Sequence, residues 1–78
     1  MLPELSDQDR NWYILKGYEV AEHYGSRTWR KDYYLHREDG PAVERYDGTR
    51  IWYLNGYMVS RKQHRKAVQK MKIQNGTA

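Results

Sequence analysis

The sequence predicts a mainly β, α+β fold: an antiparallel β-meander of stacked hairpin repeats followed by one C-terminal basic amphipathic helix. Three observations carry this expectation. Asp39-Gly40-Pro41, Asp47-Gly48 and Asn55-Gly56 are strong turn signals with short apolar or aromatic runs between them. "YILKGYEV" (residues 13–20) lies over "WYLNGYMV" (residues 52–59) without a gap, and "GSRTW" (residues 25–29) matches "GTRIW" (residues 48–52). From Ser60 onward the pattern changes to helical spacing with many cations.

Taken in order, residues 1–11 hold Pro3 and three acids and read as a leader or a short capped turn. The repeat makes Tyr13, Trp29 and Trp52 equivalent positions, places Lys16-Gly17 on Asn55-Gly56, and places Asp32 on Asn55. A hairpin unit that cannot bury its own face must stack on its neighbours. Strands are expected at residues 33–37, 42–46, 50–54 and 57–59, each aromatic or β-branched and bounded by Gly, Asp, Asn or Pro. Pro41 has no N–H to donate and belongs beside a turn. Alternation sends Trp52 and Leu54 to one face and Ile51 and Tyr53 to the other. "SRKQ" (residues 60–63) is a capping box opening a helix over residues 60–74, with His64, Ala67, Val68 and Met71 on one side. Residues 75–78 read as a frayed tail.

Seventy-eight residues make one domain, close to the size at which a single core barely suffices. There is no cysteine to staple it and no phenylalanine, so eight tyrosines and three tryptophans supply most of the bulky apolar surface. Trp29 and Trp52 are the expected core members. Residues 1–47 carry seven Lys/Arg and all ten Asp/Glu, a balance of −3, whereas residues 48–78 carry seven Lys/Arg and no acid, a balance of +7. An acidic body with a basic end is expected to meet something anionic through that end. No apolar run is long enough to span a membrane, and the composition reads as that of a soluble cytoplasmic protein.

The block His36, Arg37, Asp39, Gly40, Pro41 and Ala42, with Asp47-Gly48, Trp52-Tyr53 and Asn55-Gly56 after it, resembles the MORN-like hairpin repeats of bacterial and bacteriophage proteins. Their unit reads roughly W-Y-x-N-G-x-x-H-R-x-D-G-P-A, followed by an aromatic, D-G and the next tryptophan. The resemblance covers residues 33–59 and is weaker over residues 13–29, where the first unit lacks H-R-x-D-G-P-A and Asp32-Tyr33 stands in place of N-G. It implies a β-hairpin scaffold used for binding in small phage proteins, and no catalytic activity. His36, Arg37, Asp39, Gly40, Pro41, Asp47, Gly48, Asn55 and Gly56 are then turn-structural residues.

Candidate sites follow from these patterns. His36 beside Glu38 and Asp39 has the composition of a general base with an orienting acid, but it sits at a turn, where Arg37 and Asp39 can pair to hold the bend. His23, His36 and His64 lack metal-ligand spacing, and neither a metal nor a cofactor is expected. Tyr34, Tyr53 and Tyr57 are the expected partner-binding residues of the sheet face, since such rings bury large area at low entropic cost. On the helix, Arg61, Lys62, Arg65, Lys66, Lys70 and Lys72 are the expected partner or nucleic-acid contacts. Their like-charge pairs at i, i+4 and the two cations at the positive end of the helix dipole cost roughly 1 kcal/mol.

The expected function is that of a non-enzymatic phage-type binding protein that inhibits or redirects a host protein, nucleoprotein or defence complex, in the manner of an anti-CRISPR. Two alternatives stand beside it: a small basic nucleic-acid-binding protein, and a self-assembling hairpin module that forms a homodimer or larger oligomer.

Overall fold

The computed structural model describes residues 2–76. Element order is α1 (Asp7–Leu15), β1 (Tyr18–His23), β2 (Ser26–Lys31), β3 (Tyr34–Leu35), β4 (Val43–Glu44), β5 (Arg50–Leu54), β6 (Tyr57–Val59) and α2 (Arg61–Gly76). The sheet is antiparallel throughout, in the order β1-β2-β4-β5-β6, with β3 also paired to β2. The mainly β, α+β expectation holds, with one addition. The capped turn, one of the two readings of residues 1–11, extends into a helix: Ser6 caps it by accepting from the Asp9 N–H at 3.1 Å, and α1 runs on through Leu15. The segment before it is held as well, because the buried Arg27 donates to the Pro3 carbonyl at 2.6 Å and Leu5 packs on the core.

Two of the repeat units are hairpins in the same register. Arg30↔Leu35 and Lys31↔Tyr34 in β2–β3 correspond, Trp29 on Trp52, to Tyr53↔Met58 and Leu54↔Tyr57 in β5–β6. Their turns match too: Asp32 and Tyr33 have φ of 53° and 74°, Asn55 and Gly56 have 52° and 84°, the paired left-handed geometry of a tight hairpin. The first unit differs, since Tyr13 and its neighbours are helical and only the Gly17 turn and the strand after it keep the pattern. The β4–β5 turn is a longer bend, in which Gly48 donates to the Arg45 carbonyl at 3.0 Å and Asp47 accepts from the Thr49 N–H at 2.9 Å.

Residues directly opposite across paired strands share a face. The registers put Val20, Trp29, Glu44, Arg50, Trp52, Leu54 and Tyr57 on one face and Ala21, Thr28, Val43, Ile51, Tyr53 and Met58 on the other. Both helices lie on the first face. Tyr13 of α1 meets Tyr18 and Trp29 edge-on at 5.5 and 5.8 Å between ring centres. Val68 and His64 of α2 are buried beside β5. The core therefore splits between the two repeat-equivalent tryptophans unequally: Trp29 is 0 % exposed, while Trp52 is half-buried under the edge of α2.

Strands expected at residues 33–37 and 42–46 shrink to Tyr34–Leu35 and Val43–Glu44. The reason is the loop between them. It crosses the Trp29 strand, so the Trp29 N–H donates to the Ala42 carbonyl at 2.8 Å and the Trp29 carbonyl accepts from His36 at 3.0 Å. β3 and β4 thus share one edge of β2, β3 at Arg30 and Lys31 and β4 at Arg27 and Thr28, and each has room for only two residues.

The capping box forms as expected: Gln63 N–H donates to the Ser60 hydroxyl at 3.0 Å, and Ser60 N–H donates to the Gln63 side chain at 2.9 Å. The helix continues through Gly76, past the expected end at residue 74; residues 77 and 78 of the expected tail lie outside the described residues.

Candidate interaction surfaces

The residues of the H-R-E-D-G-P-A block form the mould that positions everything else. Arg37 is its hub. Its guanidinium lies 3.8 Å from the Trp29 ring centre and donates to Asp39, the Pro41 carbonyl, Glu44 and the Tyr13 hydroxyl, each at 3.0 Å. Gly40 faces the other side of that group, where an added Cβ would stand 2.9 Å from the guanidinium carbon. Burial alone would weaken the charge, but Asp39 and then Tyr13 outweigh it and leave Arg37 more firmly protonated than usual.

His36 is buried at 4 % exposure, and both ring nitrogens are engaged. The Asn55 N–H donates to Nδ1 at 2.9 Å, so the ring proton sits on Nε2 and points to Glu38, also at 2.9 Å. The imidazole thus locks the Asn55-Gly56 turn to the loop and offers no free lone pair to a substrate. His64, read in the sequence as part of an apolar stripe, uses Nε2–H to reach the Arg37 carbonyl at 2.6 Å and pins α2 to the same loop.

Tyr13 closes the network by donating to Asp39 at 2.6 Å. Burial, and after it that hydrogen bond, pushes the Tyr13 hydroxyl up to about 12 from 10.0; burial raises Tyr18 as well. A tyrosine that ionises later in the folded than in the unfolded chain stabilises fully below its unfolded value and loses that contribution as pH rises through the folded one. Urea stability is accordingly expected to fall between about pH 10 and 12, by on the order of 2 kcal/mol for Tyr13. A Tyr13→Phe variant should show a flatter decline in the same titration.

Two surfaces flank α2. On one flank, Tyr34, Tyr57 and Met71 border a shallow groove with Lys31, Asn55 and Gly56. Tyr34 and Tyr57 are exposed at 60 % and 76 %, and the Tyr34 ring lies on Gly56, where a Cβ would come within 2.9 Å of it. Tyr33 is added to them, at 93 % exposure in left-handed backbone that a bulky residue adopts at a cost of roughly 1–2 kcal/mol. The repeat could have signalled this, because Asp32-Tyr33 aligns with Asn55-Gly56. The expected grouping of Tyr34, Tyr53 and Tyr57 needs correction: Tyr53 is half-buried on the opposite, helix-free face beside Ile51 and Met58, one residue out of phase with Tyr57.

The cations of α2 divide in the same way. Lys62, Lys66 and Lys70 occupy the exposed back of the helix. Arg61, Arg65 and Lys72 form a stripe on the flank away from Tyr57, facing Arg50 and Trp52. Arg61, Arg65 and Lys72 were expected contacts; Arg50 and Trp52 were not, since nothing local in the sequence marks which strand the helix covers. Among the described residues, ion pairs use Arg10, Arg27 and Arg37, and none of them involves a cation of α2.

No family model matches the chain, and no curated protein and no solved structure is found to be similar to it. Among the described residues no helix is long and apolar enough to cross a membrane, and no three His, Asp or Glu side chains gather as a metal site.

Proposed function

We propose that this is a non-enzymatic binding protein that inhibits or redirects a partner protein by occupying a site on it. The observation that carries this is the pairing of Tyr34 and Tyr57, both exposed, along one groove with Met71, with the exposed Tyr33 next to Tyr34 in the turn. Nine large apolar side chains are exposed among the described residues, and of these Tyr34 and Tyr57 line one groove together with Met71. Tyrosines exposed in this way act as rigid anchors in protein interfaces. Lys62, Lys66 and Lys70 on the back of α2 add a positive field that steers the approach to an acidic partner. The hairpin resemblance of residues 33–59 supplies the setting: a phage-type factor acting on a host protein, nucleoprotein or defence complex.

The test is affinity capture with the full chain from nuclease-treated bacterial lysate, followed by measurement of affinity for the captured protein. A defined partner should survive the nuclease, and Tyr34→Ser/Tyr57→Ser should weaken it at least tenfold, a cost of about 1.4 kcal/mol or more. Met58→Ser, on the opposite face, should leave it unchanged. A partner bound equally well by the double tyrosine variant would sink the proposal, as would a chain that captures only further copies of itself.

A further inference from the structure

The stripe of Arg61, Arg65 and Lys72 lines a groove between α2 and the loop of residues 38–41, with Arg50 and Trp52 on its floor and Val68 at its back. The three helical cations are separated by four and seven residues, which stacks them along one line of the helix over roughly 16 Å. The Arg61 guanidinium sits 6.0 Å from the centre of the half-buried Trp52 ring. Glu38 and Asp39 also border the groove, but they are already taken: Glu38 by His36, Asp39 by Arg37 and Tyr13. Four cations therefore share one groove, and none of them is ion-paired to an acid among the described residues.

A single carboxylate would satisfy one or two of these groups. A row of cations beside an aromatic ring fits a ligand with regularly spaced anions and flat rings. We infer that this groove binds single-stranded nucleic acid, with Arg50, Arg61, Arg65 and Lys72 on successive phosphates and Trp52 as a stacking platform for a base. An acidic peptide would use the cations but has no need of the ring. The groove lies on the opposite flank of α2 from Tyr34 and Tyr57, so a chain that uses both surfaces holds a protein and a strand at once.

The experiment is fluorescence anisotropy of a labelled oligothymidylate, about fifteen nucleotides long and so near the upper site size of such grooves, titrated with the full chain at several salt concentrations. Binding should be saturable at low salt and weaken steeply as salt rises. Arg61→Glu/Arg65→Glu should lose about tenfold more affinity than Lys62→Glu/Lys66→Glu, which changes the same charge on the back of the helix. Trp52→Leu, checked for intact fold by circular dichroism, should lose about tenfold. Tyr34→Ser/Tyr57→Ser should keep wild-type oligonucleotide affinity, which separates this site from the protein-binding one. Equal losses from the two charge-reversal pairs would overturn the inference by reducing the binding to net charge. No saturable binding at low salt, or polyglutamate bound as tightly as the oligonucleotide, would overturn it too.

Discussion

Arg37→Ala is expected to lose about 3 kcal/mol of stability, a large share of what a domain this small possesses. The substitution removes a side chain that is 13 % exposed and holds Asp39, Pro41, Glu44 and Tyr13 together. The loss exceeds that of the bonds themselves. Glu44 is left as a partly buried carboxylate without its partner, Asp39 keeps only Tyr13, and the Trp29 ring loses its lid. Arg37→Lys keeps the charge but not the planar fork, which alone can face Trp29 and Gly40 while donating in four directions; it should recover less than half of the loss. Urea unfolding followed by tryptophan fluorescence reads the effect. A midpoint shift no larger than that of Lys66→Ala, an exposed cation of α2, would remove Arg37 from its place as the hub.

The second large effect distinguishes two residues that the repeat makes equivalent. Trp29→Ala is expected to cost about 4 kcal/mol, enough to leave much of the chain unfolded, whereas Trp52→Ala should cost about 1–2 kcal/mol. The indole of Trp29 is 0 % exposed and meets Tyr13 and Arg37, while that of Trp52 keeps an open edge at the groove. Thermal melts of the two variants give the comparison directly. Equal losses would mean that Trp52 belongs to the core and would weaken its assignment as a stacking platform.

These expectations bear on how the surfaces work. The hub, His36 and His64 hold the loop, the Asn55-Gly56 turn and α2 against one another. Both flanks of α2 therefore sit on a base held by internal hydrogen bonds. The exposed tyrosines at one end and the cationic groove on the other flank use separate side chains. Variants of one leave the other intact.

Much of this was legible in the residues. Asn55-Gly56 and Asp47-Gly48 marked their turns because Asn and Gly adopt left-handed backbone cheaply, whereas Asp39-Gly40, read by the same rule, lies in the loop between β3 and β4 with no positive φ. The alignment of Trp29 on Trp52 carried the strand register with it. The capping box placed the start of α2, and the period of a helix sets Arg61, Arg65 and Lys72 on one flank and Lys62, Lys66 and Lys70 behind them. These are local properties, set by steric limits on φ and by the period of a helix or strand.

Tertiary structure decided the rest. Tyr13, a strand residue by alignment, is helical because Ser6 caps α1 and the ring finds Tyr18 and Trp29. Residues 36–42 read as turn chemistry, yet they form the mould around Trp29, which depends on contacts with Tyr13, 24 residues before Arg37 in the chain. Tyr53 and Tyr57 part company because a tight two-residue turn pairs Leu54, not Tyr53, with Tyr57. Trp52 stays half-buried, with the Arg61 guanidinium of α2 6.0 Å from its ring centre and the ring lining the groove. Each outcome rests on which side chains meet across the fold, and composition and spacing do not encode that: the free energy of burial belongs to pairs of surfaces, and only the folded chain brings those surfaces together.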